Sequence, residues 1–185
     1  MGGRGASFGS AEYKIRETLK NEENKIRNLP VEHASVIGKD GTVIFTKSEN
    51  KADEVNFTTK EASMFKDNVF THNHPNGSLF SSDDINLAFV TALKEMRACH
   101  ANGYYSLERQ FNVGANVPQK YFNFSSDYEQ AIANYKTNVT DKEWASSKQT
   151  SADADRLNKK VHDFMADWLK KNAMSYGWKF TEGKT

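Results

Sequence analysis

The sequence predicts an α+β domain in which helices flank a mostly antiparallel sheet. Its length of 185 residues suits one domain. Two pairs of short strand-like runs are each joined by a turn, Asp40-Gly41 in the first pair and Asn102-Gly103 in the second, which is the signal of a β-hairpin. Apolar residues at helical spacing occupy the segments before, between and after these pairs.

The N-terminal half combines one long helix with short strands. Residues 10–28 form a charged helix with a thin apolar stripe, and Pro30 closes it. The strand runs are rich in β-branched and aromatic residues. In order, we expect strands over residues 31–38, 42–47, 54–58 (the weakest) and 68–74, with a short helix at 61–65 before the last of them.

The C-terminal half becomes helical after the second hairpin. A helix over residues 81–93 precedes that hairpin, whose strands we expect at residues 96–100 and 104–109. A loop should follow over residues 112–123. The remainder is predicted as helices at 128–135 and 151–172, and the tail Tyr-Gly-Trp-Lys-Phe is either a short strand or a docking segment.

The composition excludes several classes of protein. With 25 basic and 24 acidic residues the formal charge is +1, so no overall charge attracts the chain to nucleic acid or to a membrane surface. Cys99 is the only cysteine, which excludes an intrachain disulfide and a thiolate metal cluster. No run reaches the roughly 18 apolar residues of a membrane span, and the start lacks the apolar core of a signal peptide. We therefore expect a cytoplasmic protein with no membrane contact.

The segment THNHPNGSLFSSDD, residues 71–84, concentrates residues that bind metals. Side chains on a strand alternate, so His72 and His74 face the same side. Two imidazoles at this spacing suit Zn²⁺, which takes nitrogen ligands at about 2.0–2.1 Å in a tetrahedral arrangement. Asn76-Gly77 reverses the chain, and Asp84, in the first turn of the next helix, could fold back as a third ligand and leave one position open for water.

Each part of this site also has a purely structural interpretation. A His-x-His pair on a strand is often only a surface pair, and Ser81-x-x-Asp84 is close to a capping box that starts a helix. Glu32, in an apolar strand, is a candidate base for a zinc-bound water. A glutamate there could equally keep an edge strand from aggregating. The conjunction of the motifs favours the metal site.

The order of a strand glutamate, His-x-His-Pro and Ser-x-x-Asp resembles the JAMM (MPN+) zinc metalloprotease family. THNHPNG is most similar to the bacterial and phage branch, and RadC proteins share the fold. The resemblance covers residues 30–109 and implies a JAMM/MPN-like (cytidine-deaminase-like) fold, here with extra C-terminal helices. It further implies that His72, His74 and Asp84 bind zinc, that Glu32 is the general base and that Ser81 stabilises the oxyanion.

The spacing departs from the family at one point. Six residues separate His74 from Ser81, where family members usually have seven. Ser82 would restore the spacing but would put Ile85 at the position of the acidic ligand. We therefore assign Ser81 and Asp84 with a loop one residue short, and Asp83 is the fallback ligand.

The domain organisation follows from the extent of this resemblance. We predict a flexible N-terminus over residues 1–9, a JAMM-like catalytic domain over 10–124 that includes the N-terminal helix, and a C-terminal helical extension over 125–185 packed on the same domain. The glycine-rich start and helical tail are similar to JAMM-like domains of phage and mobile-element proteins.

Several residues outside the motif are predicted to be structural. His33 should face away from Glu32 on its strand, and Cys99 is interpreted as a small buried residue. The tryptophans at 144, 168 and 178, with Tyr176 and Phe180, should seal the C-terminal helices onto the sheet.

The expected function is that of a zinc-dependent metallopeptidase or isopeptidase. It would hydrolyse a peptide or ubiquitin-like isopeptide bond by a metal-activated water, in a bacterial or phage-infected cell. Its partner would be a protein or peptide substrate, which the resemblance extends to a ubiquitin-like tail. Two alternatives are a RadC-like DNA-associated protein, which the charge of +1 does not support, and a non-catalytic JAMM-fold binding module of a phage or mobile element.

Overall fold

The computed structural model describes residues 10–51, 55–112, 117–143 and 151–184. A six-stranded sheet carries helices on both faces, and the strand order is β2-β1-β3-β4-β5-β6. Strands β3 and β4 are parallel, and every other neighbouring pair is antiparallel. The strands are β1 (His33–Ile37), β2 (Val43–Ser48), β3 (Val69–Asn73), β4 (Glu95–His100), β5 (Gly103–Arg109) and β6 (Trp178–Lys184). The helices are α1 (Ala11–Ile26), α2 (Thr59–Ala62), α3 (Ser82–Val90), α4 (Phe124–Glu143) and α5 (Ser151–Asn172), with 3-10 turns at Tyr121–Asn123 and Ala173–Tyr176. The α+β class with a mostly antiparallel sheet is thus confirmed.

Both predicted hairpins are present, as β1–β2 and β4–β5. In the first, Gly41 has a φ of 83°, a left-handed conformation that glycine adopts without steric cost. The Oδ1 of Asp40 accepts hydrogen bonds from the backbone N–H and the hydroxyl of Thr42, at 3.0 and 2.8 Å. The turn chemistry read from the sequence therefore determines where these strands reverse.

The strand predicted over residues 54–58 is wrong for its described part. Residues 55–58 have no strand, and Glu54 lies outside the described residues. Thr58 and Glu61 instead form a capping box that starts α2. The apolar side chains of Val55 and Phe57 pack against the core without a strand partner.

The C-terminal region is more extensive than predicted. The helix expected at 128–135 begins at Phe124, and the tail is a strand, β6, that pairs with β5. The region after residue 124 therefore adds an edge strand as well as helices. Among the described aromatic residues of the predicted seal, Tyr176 and Trp178 are buried, while Trp168 and Phe180 pack against the same core; Trp144 lies outside the described residues.

The two faces of the sheet are covered differently. Helices α3, α4 and α5 enclose the main apolar core, which includes Phe70, Met96, Leu107 and Trp178. Helix α1 covers the opposite face, where its apolar cluster is small: Ile15, Leu19, Ile37 and Val69. Among the helices that the structure describes, none has the length and hydropathy required to cross a bilayer.

A buried ionic network completes the contact between α1 and the sheet. Arg97 of β4 donates to both carboxylate oxygens of Glu23, at 2.6 and 3.0 Å, and contacts Glu95 at 3.4 Å. Its guanidinium carbon lies 3.5 Å from the ring centroid of Tyr104. Burial disfavours the charged form of Arg97, but Glu23 and Glu95 outweigh it and raise the pKa of the guanidinium. The network holds α1 against the middle of the sheet.

Removing one member of this network should therefore destabilise the protein strongly. We expect Glu23→Gln to lower the free energy of unfolding by about 3 kcal/mol, because it leaves part of the Arg97 charge uncompensated in a buried site. Glu17→Gln, which changes an exposed residue of the same helix, should stay within about 0.5 kcal/mol of the native chain. Urea unfolding of the two variants measures the difference, and equal effects would show that the network contributes little.

Candidate metal centre

The antiparallel pairing of β1 with β3 brings Glu32 to the two histidines. His72 lies in β3 and pairs with Ala34 of β1, so the start of β1 lies beside the end of β3. The backbone N–H of His33 donates to the side-chain oxygen of Asn73 at 2.7 Å, which fixes this alignment. Glu32 precedes β1 and His74 follows β3, so both residues lie at the same end of this strand pair.

The loop after β3 orients His74. Gly77 has a φ of 71°, and its N–H donates to the carbonyl of His74 at 2.9 Å, which closes a tight turn. The turn brings the carbonyl oxygen of Ser78 to 2.7 Å from Nδ1 of His74. The proton of this imidazole is therefore on Nδ1, and the lone pair of Nε2 points into the site.

Asp84 has two roles, one for each of its oxygens. Its Oδ2 accepts hydrogen bonds from the backbone N–H and the hydroxyl of Ser81, at 2.7 and 2.8 Å, which completes the capping box of α3. Its Oδ1 lies 3.2 Å from Nε2 of His72. The capping-box and metal-site interpretations of this motif are therefore compatible, because one carboxylate meets both geometric requirements.

The possible ligand atoms converge in a small volume. The two Nε2 atoms of His72 and His74 are 2.8 Å apart, and Asp84 Oδ2 is 3.6 Å from Nε2 of His74. Glu32 Oε1 lies 3.7 Å from Nε2 of His72. Ligand atoms of Glu32, His72 and His74 all lie within 4.8 Å of one another, so these residues could hold a metal ion.

The electrostatics of the cluster depend on burial and on the two carboxylates. Burial alone would lower the pKa of His72, but Asp84 and then Glu32 outweigh it and raise that pKa above its ordinary value. Burial, followed by the nearby His72, lowers the pKa of His74 to about 4. Burial would raise the pKa of Asp84, but the two imidazoles hold it well below its usual range. At neutral pH His74 is therefore neutral and Asp84 is ionised, which are the forms of these two side chains that bind a metal cation.

The residues fit a zinc ion with a small adjustment. Two nitrogen ligands of a tetrahedral zinc are about 3.3 Å apart, so the imidazoles would separate by about half an ångström from the present distance. The Asp84 carboxylate lies nearer to Nε2 of His72 than the Glu32 carboxylate does, at 3.2 against 3.7 Å, and suits the third ligand position. Nδ1 of His72 is buried without a hydrogen-bond partner among the described residues. The backbone of Arg97 nearby adds to the raised pKa of this ring.

The other predicted site residues can now be located. Asp83, the fallback ligand, is exposed, whereas the Asp84 carboxylate lies 3.2 Å from His72. Ser81 directs its hydroxyl to Asp84, and its predicted contact with an oxyanion stays a prediction. His33 is half-buried, and Cys99 is buried with a thiol pKa that burial raises to about 12.

Two cavities adjoin the cluster, and both are lined by Glu32, Ser81 and Asp84. The smaller, of about 170 Å³, lies along the loop from His74 to Leu79. The larger, of about 470 Å³, lies between the segment before α2 and the exposed side of α3, and we call it the apolar groove. Its apolar walls come from Val55, Phe57, Phe70, Leu87 and Val90.

Sequence reasoning missed the groove and the hydroxyl groups that contact the loop of the centre. Tyr105, Ser125 and Tyr128 donate to backbone carbonyls of this loop. A capping motif has a local spacing, whereas Tyr128 reaches across 48 residues to Phe80. No local pattern in the sequence signals such a contact.

No family model matches the chain, and no significant match was found among curated proteins or solved structures.

Titration with zinc tests the centre directly. We expect one Zn²⁺ per chain and a release of protons that increases as the pH is lowered, because the pKa of His72 is raised and the ligand must be unprotonated. Calorimetry in two buffers of different ionisation enthalpy measures both quantities. His74→Ala should abolish binding and His33→Ala should retain it; the reverse pattern would exclude this centre.

Proposed function

We propose that the chain is a zinc-dependent metallopeptidase of JAMM type that cleaves a peptide or isopeptide bond in an extended protein segment. The observation that carries this proposal is the convergence of the Glu32, His72 and His74 side chains, with the Asp84 carboxylate 3.2 Å from His72, beside an open groove. The resemblance of the motif supports the JAMM assignment.

The set of donors is suited to hydrolytic chemistry. Two imidazoles and a carboxylate with an open position are a ligand set of catalytic zinc, which polarises a carbonyl and lowers the pKa of a water molecule. Ser81 holds the second oxygen of Asp84, and the Ser78 carbonyl holds His74. Ligands fixed in this way keep their orientation during turnover.

Glu32 is the general base in this mechanism. Its carboxylate is buried and 3.7 Å from Nε2 of His72, so it borders the space where water and substrate would meet. It takes a proton from the attacking water as the oxygen bonds to the carbonyl carbon. It then gives the proton to the amine as the C–N bond breaks. For Ser81 to stabilise the oxyanion, its hydroxyl must turn from Asp84 toward the substrate.

The cavities favour a polypeptide substrate over nucleic acid. They extend from the same three residues in two directions, as a chain with residues on both sides of the cleaved bond requires. The apolar groove suits an apolar side chain, and its polar lining includes three carboxylates, those of Glu32, Asp83 and Asp84. None of its described lining residues is lysine or arginine, so a phosphate backbone would be repelled there.

Replacing the base separates metal binding from catalysis. We expect Glu32→Gln to retain zinc but to lower kcat by about 10²–10⁴-fold, the usual contribution of a general base. Glu17→Gln, the same change at an exposed position of α1, should retain most of the activity. The assay compares peptide-linked with lysine-linked ubiquitin-like fusions and so identifies the bond. A fully active Glu32→Gln variant would disprove the role of Glu32, and a native chain that binds zinc and cleaves neither fusion would favour the binding-module alternative.

A charged residue in the apolar groove should slow the cleavage of substrates that have apolar residues beside the cleaved bond. Val90 lines the groove and is 61% exposed, so Val90→Arg should fold normally. We expect it to lower kcat/KM for such peptides by about tenfold, or about 1.4 kcal/mol, through the loss of apolar contact. Phe122→Arg, an exposed apolar residue outside the groove lining, is the control. Equal kcat/KM values for both variants would show that substrate does not occupy the groove.

A further inference from the structure

The loop that joins the proposed ligands His74 and Asp84 is held by hydrogen bonds from residues elsewhere in the fold. We call residues 75–82, which follow His74 and end at the first residue of α3, the metal loop. Three of its carbonyl oxygens accept a hydrogen bond from a hydroxyl elsewhere in the fold. The pairs are Tyr105 with Gly77 at 3.4 Å, Tyr128 with Phe80 at 2.9 Å, and Ser125 with Ser82 at 3.0 Å.

Tyr128 makes the most buried of these contacts. Its side chain on α4 is 0% exposed, as is that of Phe80, so water cannot replace the hydroxyl if it is lost. Burial raises the pKa of Tyr128, which keeps the hydroxyl protonated and able to donate throughout the physiological range. Its ring also packs on Trp168 of α5, with the centroids 5.4 Å apart.

Ser125 extends the contact of α4 to the start of α3. Its hydroxyl donates to the carbonyl of Ser82, two residues before Asp84. Tyr128 and Ser125 therefore hold the loop on either side of Ser81, the residue that orients the Asp84 carboxylate. A shift of α4 would move both carbonyls, and Asp84 with them.

Tyr105 links the other end of the loop to α5. Its hydroxyl lies 3.0 Å from Nε2 of His162 and donates to the carbonyl of Gly77. His162 can donate from Nε2 to the Tyr105 oxygen, which leaves the tyrosine proton for Gly77. The turn that orients His74 is thus connected to α5 by two side chains.

We infer that Tyr128, supported by Ser125 and Tyr105, is a positioning residue of the metal centre, through which α4 and α5 set the geometry of His74 and Asp84. This inference rests on the proposed zinc site. It assigns the C-terminal helices a part in metal binding, in addition to covering the core. Groups that orient metal ligands typically change affinity by 10- to 100-fold when removed.

The test compares two tyrosines of the same aromatic cluster in the full chain. Tyr128→Phe removes the hydroxyl that bonds to the metal loop, whereas Tyr176→Phe removes one that donates to Asp127 at 2.7 Å. We expect Tyr128→Phe to raise the Kd for zinc about tenfold and to alter the visible absorption spectrum of the cobalt-substituted protein. Tyr176→Phe should leave both unchanged, even where it lowers Tm.

The outcomes separate this inference from the proposed function. If Tyr128→Phe lowers Tm but keeps the native Kd and cobalt spectrum, its role is only structural and the inference is overturned, while the zinc site stands. A native chain that binds no zinc overturns both.

A second pair of variants covers the case in which Tyr128→Phe does not fold. Ser125→Ala should raise the Kd for zinc about threefold, a smaller effect because this contact is half-buried. Its neighbour Ser126, which bonds to the carbonyl of Asn123, is the matched control. Equal Kd values for Ser125→Ala and Ser126→Ala overturn the inference.

Discussion

The carboxylate of Asp84 is the constraint on which the site depends. One oxygen accepts two hydrogen bonds from Ser81 and starts α3, and the other faces the imidazole of His72. Helix formation and assembly of the centre therefore require the same rotamer. The position also suits a negative charge, because it lies in the first turn of a helix, where unpaired N–H groups point outward. Because the capping hydrogen bonds already fix the Asp84 side chain, it loses little conformational entropy when a cation binds.

Strand β3 connects this site to the rest of the molecule. All five of its residues are buried. Its side chains point alternately to the two faces of the sheet, which differ in polarity. Phe70 and His72 face the main core, with their rings stacked at 5.0 Å. Thr71 and Asn73 face the other side, where they bond to Glu23 and to the carbonyls of Leu29 and Val31. The polar contact with α1 thus fixes the strand that presents the histidine, although α1 contributes no residue to the centre.

The parts of the site that could be predicted from the sequence were those with local spacing. His72 and His74 stand two residues apart, and Ser81 and Asp84 three apart, so strand and helix geometry alone orient each pair. Asp84 lies near His72 and Asp83 is exposed, although the loop is one residue short, so Asp84 stays the predicted ligand. The error at residues 54–58 has a related cause: β-branched and aromatic residues indicate burial against a core, and Val55 and Phe57 achieve it without pairing.

By itself the sequence determined the hairpin turns, the cap of α3 and the facing pair of histidines, because these depend on contacts within a few residues. Only the tertiary structure placed Glu32 beside His72, paired the tail with β5 as strand β6, and brought the Tyr128 hydroxyl to the carbonyl of Phe80. These contacts join residues far apart in the chain. They depend on strand order and helix packing, which result from burial of the whole core and have no local signature.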